Sequence, residues 1–118
     1  MKQLLIASLF CLAGPVSADP VEVVGVTATQ QGDSWRFDVT LRHPDTGWDH
    51  YADAWEMLDA EGNSLGIREL AHPHVNEQPF TRSKSGIVIE DGTESVFVRG
   101  RDNIDGWSDM LFEYVLPN

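Results

Sequence analysis

Cysteine is nearly absent. The 118-residue chain has one, Cys11, inside a short apolar run near the N-terminus. Lys2, the run Leu4 to Leu12, the break at Gly14-Pro15 and the small residues Val16-Ser17-Ala18 read as a secretory signal cleaved after Ala18. Bulky Phe10 before Cys11 argues against a lipidation site. The run is far shorter than the ~20 residues a membrane helix needs, so no membrane anchor is expected after cleavage. Residues 19–118 then contain no cysteine, which excludes disulfides, thiolate metal sites and cysteine nucleophiles. Small exported domains often rely on disulfides. This one must close a core by packing alone, as one domain of about a hundred residues can.

Positive charge is also scarce. Eight Lys+Arg face 19 Asp+Glu, a formal net charge of −11, one unit more negative once Lys2 is removed. Such a balance favours solubility and argues against nucleic acid or an anionic membrane as partner. No window carries a helical apolar stripe, and there is no internal repeat.

What is present is two-residue alternation. Trp35, Phe37, Val39 and Leu41 alternate with Arg36, Asp38, Thr40 and Arg42, the pattern of a half-buried strand. Met110, Phe112, Tyr114 and Leu116 repeat it, as do Val96 and Val98, and Ile87 and Ile89. Val21 to Thr29 is strand-like with a slip at Gly25 that predicts a bulge. Ala52 to Leu58 and Ser64 to Leu70 flank a hairpin loop at Asp59-Ala60-Glu61-Gly62-Asn63. Seven short strands divided by turn residues predict an all-β, antiparallel sandwich or barrel.

Val96-Phe97-Val98-Arg99-Gly100-Arg101-Asp102-Asn103, followed by Gly106-Trp107-Ser108, resembles the penultimate-strand segment of fibronectin type III and related bacterial immunoglobulin-like domains. Trp35 stands on the second strand, where such domains often keep a core tryptophan. Val96 stands where the family commonly has tyrosine. The resemblance covers most of residues 19–118 and implies a seven-stranded antiparallel immunoglobulin-like β-sandwich. The fold resemblance implies nothing about chemistry, and the Ala71–Ser85 segment separately resembles short exported bacterial proteins.

Two segments do not read as scaffold. Ala71 to Ser85 is expected to be a fifteen-residue loop, stiffened by Pro73 and Pro79 and long enough to suggest function. In extended chain, His72 and His74 point the same way, roughly 6.5–7 Å apart, and could share one copper or zinc ion. His43, His50, Asp49 and Glu77 are the candidates to complete that site. A His-Pro-His step that merely bonds neighbouring backbone is the simpler alternative. His43 to Tyr51 is the second loop. Its Trp48 and Tyr51, with Glu77, Phe80 and Arg82 from the first loop, are the expected binding surface for a protein or small-molecule ligand; sealing the open end of the core is the alternative use of such aromatics.

Arg82, Lys84, Arg99 and Arg101 form a local basic strip, expected to pair with carboxylates on neighbouring strands. Asp59–Asn63 and Asp102–Gly106 lack calcium-loop spacing and read as turns. No serine lies in a Gly-x-Ser-x-Gly elbow, so a small hydrolase is the weakest reading. The sequence points first to a non-catalytic, monomeric binding or accessory module, secreted or periplasmic, and second to a metal-binding protein centred on His72 and His74.

Overall fold

The computed structural model describes residues 19–117; residues 1–18, where a signal segment is expected, and Asn118 lie outside the described residues. Among them there is no helix, and eight strands follow one another: β1 (Glu22–Gln31), β2 (Ser34–Arg42), β3 (Ala52–Leu58), β4 (Ser64–Glu69), β5 (Phe80–Ile87), β6 (Ser95–Asp102), β7 (Gly106–Trp107) and β8 (Phe112–Val115). They form two antiparallel sheets. One has the order β1-β2-β5, the other β4-β3-β6-β7, with β8 also pairing β6.

A shared core joins them. Phe37, Val39 and Leu41 of β2 meet Trp55 and Met57 of β3 and Val96 and Val98 of β6, all fully buried. Two-residue alternation is the cause, since it sends every second side chain inward. The sheets are also pinned by polar links. Trp55 Nε1 donates to the Arg82 carbonyl (3.2 Å) and Arg68 Nε to the Ser83 carbonyl (2.8 Å). The bulge falls at Val23/Gly25, and Asp59 closes the β3–β4 turn by accepting the Asn63 and Glu61 amides.

Four expectations are corrected. The strand count is eight, not seven, because the final segment is interrupted: the Ser108 hydroxyl accepts the Met110 amide, a local bond that competes with the ladder. Met110 is exposed as a result. Trp35 is only half-buried, and the tryptophan wholly inside is Trp55 on the third strand. Residues 80–85 are strand rather than loop. β5 pairs with β2 alone, and polar side chains suit its open edge: Thr81 Oγ1 lies 2.7 Å from Thr40 Oγ1, and Ser83 bonds Asp38. The connection before it is therefore confined to residues 70–79. Phe80 is not a surface residue either; 1% exposed, it belongs to the core.

The register fixes where the loops meet. Leu41 pairs with Phe80 and Ala52 with Asp102. The end of β2, the start of β3, the start of β5 and the end of β6 thus share one end of the molecule. The 43–51 loop, the 70–79 connection and the Asp102–Gly106 hairpin converge there.

Candidate functional site

All four histidines reach this end, but as two separate pairs. His43 and His50 rings lie 4.7 Å apart, as do His72 and His74. Asp45 stands between the pairs. Its Oδ1 accepts from His43 Nδ1 (2.7 Å) and the Ala52 amide (3.0 Å), and its Oδ2 accepts the His74 amide (2.8 Å).

The first pair has a third member. One donor atom each from His43, His50 and Asp102 lies within 4.8 Å of the other two. His43 Nε2 is 3.8 Å from Asp102 Oδ2, and His50 Nε2 is 3.3 Å from Asp102 Oδ1 without hydrogen-bond alignment. His43 and Asp102 are each 1% exposed. His43 Nε2, His50 Nε2 and Asp102 Oδ2 are buried without a hydrogen-bond partner, which is costly for any polar atom.

Surrounding bonds aim these atoms. Because His43 Nδ1–H donates to the Asp45 carboxylate, the neutral ring keeps a free lone pair on Nε2, the arrangement common around metal-ligating imidazoles. Asp102 Oδ1 accepts the amides of Ile104 (2.9 Å) and Asp105 (2.6 Å), which leaves Oδ2 turned toward His43. Asn103 ties the hairpin to the loop that carries His50. Its Oδ1 accepts the Tyr51 amide, and its Nδ2 donates to the Trp48 and Asp49 carbonyls.

Charge gives the cluster its chemistry. Asp45 and Asp102 have side chains no more than 1% exposed, and among the described residues their ion-pair partners are histidines alone. Buried carboxylates need a compensating cation. A divalent ion seated among the free donors would supply it.

The second pair differs. Arg82 donates to His74 Nε2 (2.8 Å), so the neutral ring carries its proton on Nδ1 and offers no free lone pair. His74 also stacks on Phe80 at 3.9 Å. Burial first, then the charges of Arg82 and His72, hold His74 below the ordinary histidine pKa. His72 is exposed, with Nδ1 3.1 Å from the Pro73 carbonyl. Glu77 pairs with Arg82 (3.2 Å), and Asp49 is exposed.

Trp48 is 65% exposed and meets Tyr51 edge-on at 5.5 Å. Three of the four cations of the basic strip are paired, Arg82 with Glu77, Arg99 with Glu56, and Arg101 with Asp53 and Glu69; Lys84 has no ion pair among the described residues. A groove of about 830 Å³ lies at the opposite end, between the β3–β4 turn and residues 88–95. Glu61, Glu90 and Asp91 on its walls are exposed.

Asp102 and Asp45 are the residues that sequence reasoning missed. A signal existed for Asp102, since Val96, Val98, Gly100 and Asp102 occupy the same inward-facing register, so a carboxylate ends an apolar face.

No family model matches the chain, and no solved structure matches it. A protein from Halomicrobium mukohataei bearing the name "Putative lipoprotein" is 45% identical over 86 residues, 72% of this chain and 42% of that protein. The chain thus spans less than half the length of the relative it matches.

Proposed function

We propose that this chain is an exported, non-catalytic module that binds a divalent transition metal ion, Zn²⁺ or Cu²⁺, through His43, His50 and Asp102. The reading rests on three buried, mutually facing donor atoms that lack a hydrogen-bond partner. Two imidazoles and a carboxylate without a thiolate suit a borderline ion such as Zn²⁺ or Cu²⁺. Donor atoms around a tetrahedral zinc lie roughly 3.3 Å apart, given bonds of about 2.0 Å. The observed separations need a small inward movement, and His50, one-quarter exposed on a loop, is the side chain free to make it.

Two coarser features accompany this reading. The strand arrangement, β1-β2-β5 facing β4-β3-β6 with the last strands beside β6, and a buried tryptophan on the third strand support an immunoglobulin-like sandwich. Support for export, to the periplasm or the exterior, comes from the N-terminal pattern and from the relative's name.

Calorimetric titration of Zn²⁺ and Cu²⁺ into the purified protein tests the site. The wild type is expected to bind one ion and the His43→Ala/His50→Ala variant to lose at least two orders of magnitude in affinity. Equal binding by both, or none by either, sinks the proposal. Affinity should fall with pH, because protons compete for the imidazole nitrogens.

A further inference from the structure

We infer that Asp105 supplies a fourth ligand, so that the centre is a closed site of two histidines and two aspartates. This rests on the metal-binding reading above. Asp105 Oδ2 lies 3.7 Å from His50 Nε2 but outside the mutual 4.8 Å set of His43, His50 and Asp102, so this side chain closes the centre by swinging inward together with His50, toward the roughly 3.3 Å spacing of donors around one tetrahedral ion. Its placement follows from Asp102. By accepting the Ile104 and Asp105 amides on Oδ1, Asp102 folds the hairpin back, so that one carboxylate positions the next beside the histidines.

The neighbouring lone pairs are already committed, and His74 Nδ1, which carries that ring's proton, is buried without a partner. Both oxygens of Asp45 accept hydrogen bonds, Arg82 occupies His74 Nε2, and Glu77 pairs with Arg82. Asp105 has no other side-chain partner among the described residues.

Four protein ligands also define what the site does. Metal centres that activate water keep an open position, whereas centres that hold an ion fill all four. Closure by Asp105 makes this a holding site for a tetrahedral ion. Because the Asp105 side chain is about one-third exposed, it is the ligand most readily displaced when the ion enters or leaves.

Co²⁺ reports coordination number directly, since its visible bands are intense with four ligands and weak with six. Wild-type protein loaded with Co²⁺ should show intense bands. Asp105→Asn and Asp105→Ala should show weaker, shifted bands, with unchanged circular dichroism, and should lose at least the ~10- to 100-fold in Zn²⁺ affinity that removal of an outer-shell partner costs. If both variants match the wild type in bands and affinity while His50→Ala loses both, the fourth-ligand assignment is overturned and the three-residue site stands. If the wild type takes up neither Co²⁺ nor Zn²⁺, the metal reading falls and this inference with it.

Discussion

His43 Nδ1 lies 2.7 Å from Asp45 Oδ1, and neither side chain has any surface open to solvent. This contact determines which ring nitrogen of His43 faces Asp102, and it joins the proposed metal site to the 70–79 connection through the His74 amide.

Asp45→Asn tests that link. Asparagine keeps the shape but loses the charge, and it can present only one carbonyl oxygen where three N–H groups now converge. Zinc affinity is expected to drop about 10- to 100-fold, and metal-free protein to lose about 1–3 kcal/mol from a buried donor left without a partner. Competition with a chromophoric chelator and urea denaturation in excess chelator measure the two effects. Unchanged affinity would show that the His43 tautomer needs no carboxylate.

His74 makes metal-free stability depend on pH. Burial and the neighbouring Arg82 guanidinium keep its folded pKa below the ordinary value, while the unfolded chain takes up the proton near pH ~6.5. Below that point the unfolded state binds more protons, so stability falls as pH drops from about 6.5 toward the lowered folded value. The groups facing the ring are Arg82, His72, Glu77 and Asp45. Urea midpoints at pH 7.5 and 5.5 in chelator should differ more for wild type than for His74→Gln. Equal differences would remove His74 as the source.

Gly100 packs directly against Val21. A Cβ there would lie 2.3 Å from Val21 Cγ1 and 2.7 Å from its Cβ, and Val21 is itself 1% exposed. Gly100→Ala is expected to destabilise by about 1–3 kcal/mol, the usual cost of overpacking. Pairing it with Val21→Ala should restore part of that loss. Thermal unfolding of the single and double variants checks both statements.

The strands were largely legible because alternation is a local code. The β2 pattern from Trp35 to Leu41, the β6 pattern through Val98 and the bulge at Gly25 follow from side chains taken two at a time. β5 was hidden for the converse reason. Thr81 to Ser85 carry no apolar alternation, and their strand exists because β2 offers an edge and polar partners such as Thr40 and Asp38.

The sequence by itself determined the absence of cysteine from residues 19–118, the acidic balance and the inward and outward faces of the main strands, since these depend on composition and short-range periodicity. Tertiary structure alone decided which histidines share a centre. His43, His50 and Asp102 are separated by up to 59 positions, and antiparallel register carries them to one end. The same packing places Arg82 against His74 and withdraws the histidine that spacing favoured. Spacing shows which side chains can point together along one strand, whereas burial and competing hydrogen bonds decide which lone pairs remain free.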